Sequence, residues 1–125
     1  MNLLLDTHIL LWWLDNPSLI KRDAANLITD GKNGVYISSA TIWEIVLKKS
    51  LGKLCIPDNL EEVITSNRFL YLPIAPHHAF RLECLPHIHR DPFDRILIAQ
   101  ALCEKYTLVT RDKIIPQYDL DVIEG

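Results

Sequence analysis

Short apolar runs alternate with longer segments of helical period along the chain, and that alternation sets the expected order of elements. Residues 2–5, NLLL, form an apolar run that stops at Asp6, the pattern of a strand buried on both faces. Thr7 is a candidate cap for the segment HILLWWL that follows, read as a helix. NPS breaks the chain, and Ser18 is positioned to cap a second helix through about Thr29. Asp30 to Gly34 reads as a turn and VYIS as a second buried strand. Ser38 or Ser39 then caps a helix to about Leu51, with Gly52 as its stop. PDN precedes a helix near Leu60, RFLYLPI is strand-like, and PHHAFRLECL is helical. Asp91-Pro92 opens the longest helix, DPFDRILIAQAL and onward to about Tyr106. TLVT and DVIE are the last two strands.

Strands that alternate with helices specify an α/β fold with a central, mainly parallel sheet and helices on both faces. A length of 125 residues suits one domain spanning residues 1–125. In such folds ligands bind beyond the carboxyl ends of the strands. Attention therefore falls on the residues that end strands and open helices.

Composition removes several classes. The chain is 49% hydrophobic, enough for a real core, yet it has no uncharged apolar run of membrane-spanning length. The N-terminal run lacks a basic start and carries Asp6 and His8, so it is not read as a signal peptide. Cys55, Cys84 and Cys103 are odd in number and lack CxxC spacing, which favours reduced thiols in a cytoplasmic protein. No GxxxxGK loop, repeat or low-complexity tract is present. The net charge of −3 argues against a simple basic nucleic-acid binder.

The acids change that picture. Asp6 ends the first strand, Glu44 lies within two turns of the helix start after VYIS, Asp94 is in the first turn of the long helix, and Asp112 follows TLVT by two residues. A parallel sheet gathers all four at one edge. Carboxylates gathered this way repel, so one of them takes up a proton or a cation sits among them. An all-oxygen, strongly negative set suits Mg²⁺ or Mn²⁺, and such ions assist phosphodiester hydrolysis. Without these four acids the balance is 13 − (16 − 4) = +1. Lys48, Lys49, Lys53, Arg90, Arg95, Arg111 and Lys113 flank the segments that carry them, a rim able to attract a phosphate backbone.

Each residue also has a plain structural role available. Asp91 before Pro92 is an N-cap with proline at N1, and Asp94 answers the helix dipole. Thr7 and Thr110 read as caps, with the positioning of a water as the alternative. Asp112 fits a surface turn, and Asp6 has turn capping as its one local duty. Glu44, flanked by Ile42, Trp43, Ile45 and Val46, is expected to be partly buried, which is costly without a partner. Their joint placement favours a site.

The segments LLLDTHILLWWL, ISSATIWEIVLKKSLGKL, HRDPFDRILIAQAL and LVTRDKII, in that order, resemble the PIN-domain nucleases, and among them the VapC-type toxins of bacterial toxin–antitoxin pairs. The resemblance covers essentially the whole chain and implies a PIN-like three-layer fold. It also implies a Mg²⁺- or Mn²⁺-dependent endoribonuclease with Asp6, Glu44, Asp94 and Asp112 as its catalytic and metal-binding acids. Asp91 matches an additional acid of this branch, either a cap alone or a cap that also reaches the metal site. A homodimer, an RNA substrate and a cognate antitoxin are implied as partners, with no membrane involved.

Three other readings stand beside it. HIHRD has the look of a zinc motif, making His87, His89 and Asp91 the ligands of a zinc hydrolase; such a site needs further histidines, and His77-His78 sits at a helix start. The two histidines read more simply as loop residues near substrate. A phosphoacceptor receiver would need an acidic pair after the first strand, where Asp6 is followed by Thr-His. A non-catalytic RNA- or protein-binding domain would lack the acids. No segment reads a base sequence, so the RNA target is not legible. Finally, ILLWWL from Ile9 to Leu14 wraps a helix completely at about 100° per residue. Either the second helix covers its outer side, or Trp12 or Trp13 lines a groove for the antitoxin.

Overall fold

The computed structural model describes all 125 residues. Five strands form one sheet: β1 (Asn2–Leu5), β2 (Gly34–Ser38), β3 (Leu70–Leu72), β4 (Thr107–Thr110) and β5 (Val122–Glu124). Their order is β3-β2-β1-β4-β5, and every neighbouring pair is parallel. β1 is central, with Leu5 beside Ile37 of β2 and Val109 of β4. Side chains alternate across a strand, so Leu3 and Leu5 enter one core and Leu4 the other. The first core joins the sheet to α1 (Thr7–Asp15), α2 (Arg22–Thr29), α3 (Ser39–Ser50) and α4 (Leu60–Ser66). The second joins it to α6 (Pro92–Glu104), with Leu85, Ile115 and Tyr118 from the loops; α5 (Pro76–Arg81) lies against α6. The three-layer expectation holds, and the sheet is wholly rather than mainly parallel.

The long helix explains its composition. Ile96 to Ala101 are six consecutive buried residues of α6, more than one turn and so every side of the helix. Gln100 among them is satisfied: it accepts from the Ser38 hydroxyl at 2.6 Å and donates to the carbonyls of Leu72 and Pro73. Ser38 also caps α3 by accepting from Ala40 N–H at 3.0 Å. One buried hydroxyl thus ties the end of β2 to both helices.

Several boundaries differ from the sequence expectation. α2 begins at Arg22 without a side-chain cap; Ser18 instead donates to Asn16 within a 3₁₀ turn over Pro17–Leu19. α1 is capped by Asp6, whose Oδ1 accepts from Ile9 N–H at 2.9 Å, and Thr7 is the first helical residue. The strand read over RFLYLPI is only Leu70–Leu72. α6 ends at Glu104 because Lys105 takes a left-handed conformation, φ 59°. Gly52 stops α3 as expected, at φ 71°. The three cysteines are free. No helix is long and apolar enough to cross a membrane.

Candidate active site

The sheet order brings the carboxyl ends of β1, β2 and β4 side by side, and the acids follow. Asp6 leaves β1 3% exposed. Its Oδ1 caps α1, while Oδ2 accepts a short hydrogen bond from the Thr110 hydroxyl at the end of β4. The same Thr110 oxygen accepts from Asp112 N–H at 3.0 Å. Thr110 therefore links two acids and caps no helix, contrary to the sequence reading. Asp112 turns the chain after β4, its Oδ1 accepting from the N–H groups of Ile114 and Ile115. That turns its Oδ2 toward His89.

Asp91 and Asp94 divide the start of α6 between them. Asp91 Oδ1 accepts from Phe93 N–H at 2.8 Å and Asp94 N–H at 3.1 Å, so Asp91 is the cap. Asp94, relieved of that duty, points Oδ2 at His89 Nε2, 3.2 Å away; the same nitrogen is 3.1 Å from Asp112 Oδ2. Donor atoms of His89, Asp94 and Asp112 lie within 4.8 Å of one another.

Glu44 is reached from α3 and is 4% exposed. Both its oxygens are engaged: Oε1 accepts from the Thr7 hydroxyl at 2.6 Å and Oε2 from Lys48 Nζ at 2.6 Å. It is not one of the three converging donors.

The electrostatics show an acid cluster short of positive charge. Burial, then the charge of Asp91, push the Asp94 carboxyl from an ordinary 3.8 up to about 7; Asp6 and Asp112 add to this and His89 opposes it. Burial also raises Asp6, against the hydrogen bonds from Thr110 and Ile9. Asp112 goes the other way: burial works to raise it, but the bonds from His89 and from two backbone N–H groups prevail. Neighbouring carboxylates pushed in opposite directions mark a site poised for a cation or a proton.

His89 is the site residue that the sequence reading placed only loosely, as a loop residue near substrate. It is 8% exposed. Its backbone N–H donates to the Tyr118 hydroxyl at 2.7 Å, and its carbonyl accepts from Arg95. Its Nδ1 accepts from Asp91 N–H at 3.1 Å, which places the ring proton on Nε2, facing the carboxylates. His89 therefore donates to the acids and offers no free nitrogen to a metal, leaving an all-oxygen donor set. The zinc set of His87, His89 and Asp91 is not assembled: His87 is exposed and Asp91 is spent on capping. His77 and His78 converge instead on Glu104 Oε2, at 2.9 and 3.0 Å. His78 Nδ1 accepts from Ala75 N–H, so its Nε2 also carries the proton and is a poor ligand.

A cavity of about 390 Å³, lined by Asp6, His8, Trp12, Asp94, Arg111, Asp112 and Lys113, opens over the cluster. Of the expected basic rim, Arg111 and Lys113 line it. Arg95 is consumed by the carbonyls of Leu85, Pro86 and His89. Arg111 binds the carbonyls of Gly125 and Leu19 while lying 4.6 Å over the Trp12 ring. Lys49 pairs with Asp58. Trp12 also lines an apolar groove with Leu11, Leu14, Leu54, Ile56 and Leu60. Trp13 meets the α4–β3 connection, its Nε1 donating to Asn67 Oδ1 at 3.1 Å and its ring meeting Phe69, and it packs on the core that α2 shares.

The sequence profile of the family described as PIN domain matches residues 3–120. The chain belongs to the PIN-domain family. No curated protein matches the sequence. Among solved structures this PIN domain is similar to VapBC2 from Rickettsia felis bound to a DNA fragment from their promoter, with 18% identity, TM-score 0.71 and 98% of each chain covered. It is similar to a toxin–antitoxin complex from Klebsiella pneumoniae, with 22% identity, TM-score 0.68, and 97% of this chain and 95% of that one covered. DNA-bound VapBC from Salmonella typhimurium aligns at 15% identity and TM-score 0.70 over 98% of this chain and 97% of that one. At these identities the likeness is one of fold.

Proposed function

We propose that the chain is the toxin of a toxin–antitoxin pair and a Mg²⁺- or Mn²⁺-dependent endoribonuclease, acting in the cytoplasm as one catalytic domain over residues 1–125. The observation that carries this is the one cavity that Asp6, Asp94 and Asp112 line together, with the Asp94 carboxyl pushed up to about 7. The donor set is oxygen-rich because His89 presents a proton rather than a lone pair, and such a set fits a hard divalent cation. Asp6, Asp94 and Asp112 are the ligands proposed for the ion, with Glu44 as the fourth acid of the cluster and Asp91 as the cap that frees Asp94. A bound ion supplies Lewis acidity toward a phosphodiester and a nucleophile from water near neutral pH.

The chain's own residues do the rest. Thr110 and Ile9 N–H fix both oxygens of Asp6. His89 bridges Asp94 and Asp112, and Tyr118 and Arg95 hold His89. Lys113 in the cavity wall and exposed Arg90 supply charge for the RNA backbone. Incubating the chain with total RNA, with and without Mg²⁺, and mapping the new ends tests this reading; cleavage that persists in excess chelator contradicts it.

The structural neighbours that are toxin–antitoxin complexes support a protein partner. The apolar groove beside Trp12 adjoins the acid cavity through that shared side chain, so a segment laid in it would reach the active site. This is the place we assign to an antitoxin. Exposed Trp43, edge-on to Phe93 at 4.9 Å, with Val46 and Leu47 on the same helix, is the face we assign to a homodimer.

A further inference from the structure

Glu44 and Lys48 stand one helical turn apart on α3, and such pairs on a solvent-facing helix contribute little. This pair is different in place. Glu44 is 4% exposed and bonds Thr7, the residue that follows Asp6, and Lys48 reaches in from a partly exposed position to bond it at 2.6 Å. Arg95 and Arg111 are committed to backbone carbonyls and Lys49 to Asp58, while Lys113 lies in the cavity wall without bonding an acid. Of the lysine and arginine side chains, Lys48 alone bonds to one of the four acids. Its ammonium is stabilised first by the Glu44 hydrogen bond and further by the charges of Asp91 and Asp94, so it lies in the field of the acids at the mouth of α6 as well.

We propose that Lys48 is the second cation of this active site, supplying through its bond to Glu44 the positive charge that a second divalent ion would otherwise bring. The inference rests on the metal-dependent nuclease reading above. One divalent ion then belongs to Asp6, Asp94 and Asp112, while Glu44 acts through Lys48: it holds the ammonium, with Thr7 fixing its other oxygen. The arrangement follows from the charges. A second divalent ion at Glu44 would have to displace an ammonium already seated on Oε2, and would then share the cluster with that displaced positive charge. With Lys48 in place, the ammonium is one fixed positive charge beside the acids at the mouth of α6.

A purely structural role, neutralising a buried carboxylate, predicts the same contacts but not the same ion count. The test is titration of the metal-free chain with MnCl₂, followed by calorimetry and by the electron paramagnetic resonance of free Mn²⁺. The wild-type chain binds one ion per chain, and Lys48→Arg, which keeps the charge, also binds one. Lys48→Gln keeps a hydrogen-bond donor for Glu44 and so protects folding, but removes the charge; it binds two, the second more weakly. RNA cleavage by Lys48→Gln then rises more steeply with Mn²⁺ concentration than cleavage by the wild type. Two ions on the wild-type chain, which requires no variant, or one ion on folded Lys48→Gln, overturns the proposal while leaving the nuclease reading intact. Failure of the wild type to bind any Mn²⁺ removes both.

Discussion

Replacing Asp94 with Asn should stabilise the metal-free protein, and by an amount that depends on pH. The Asp94 pKa is about 7 in the fold against an ordinary 3.8. An acid whose folded pKa is raised holds its proton in the native state where the unfolded chain has lost it. Its ionisation therefore costs nothing below the unfolded value, costs progressively more as pH rises from about 4 to about 7, and costs its full amount above that. The difference, 7 − 3.8, is about three pH units, a ceiling of ~4 kcal/mol at ~1.4 kcal/mol each. The side chain is 23% exposed, and screening by water leaves about 1–2 kcal/mol. Asn keeps the shape and an oxygen for His89, so little is lost against this gain. In a chain of 125 residues that is a rise in Tm of about 3–8 °C at about pH 8, vanishing near pH 4. Thermal melts in chelator across that range decide it. Saturating Mg²⁺ should reverse the order by stabilising the wild type alone, about 2.7 kcal/mol at a hundredfold excess over Kd. A lower Tm for Asp94→Asn at about pH 8 in chelator, or the same change at both ends of the range, refutes the reasoning.

Gln100→Leu should cost about 1–3 kcal/mol in urea unfolding, because Ser38 and the carbonyls of Leu72 and Pro73 lose a buried partner. Tyr118→Phe removes the acceptor for Ile88 N–H and His89 N–H and the donor to Pro86 O; it should cost a similar ~1–3 kcal/mol and lower metal-dependent cleavage by loosening His89. The two tryptophans should separate: Trp13→Ala loses the Asn67 bond and the Phe69 contact and costs about 2–4 kcal/mol of stability. Trp12→Ala should instead weaken inhibition by an antitoxin segment, read as a change in its Kd, while the melting curve moves less.

The fold was legible because its strands are short, apolar and regularly interrupted by helices. A parallel sheet then leaves only one edge at which Asp6, Asp94 and Asp112 can meet. Local competition hid the rest. Asn16 and Ser18 bond each other, so the residue that looks like a cap for α2 is spent in a preceding turn. Asp6 rather than Thr7 caps α1 because the residue that follows β1 already has the extended backbone an N-cap needs. His89 could not be placed from sequence, since its position depends on Tyr118, 29 residues away, and on Arg95 reaching back from α6. The motif HIHRD pointed to the right segment with the wrong chemistry. Arg95 and Arg111 read as a phosphate-facing rim, and only the tertiary fold shows their guanidinium groups turned to backbone carbonyls.

The central claim is that the acids at the carboxyl edge of the sheet hold a divalent ion and that RNA cleavage depends on it. The most direct measurement follows Mg²⁺ or Mn²⁺ binding and cleavage of RNA in the same samples, for the wild type and for Asp94→Asn and Asp112→Asn. The account predicts that the wild type binds the ion and cleaves, that excess chelator stops it, and that both variants fold, bind the ion weakly and leave RNA intact. Cleavage by a folded Asp94→Asn chain at the wild-type rate, or by the wild type in excess chelator, would contradict it.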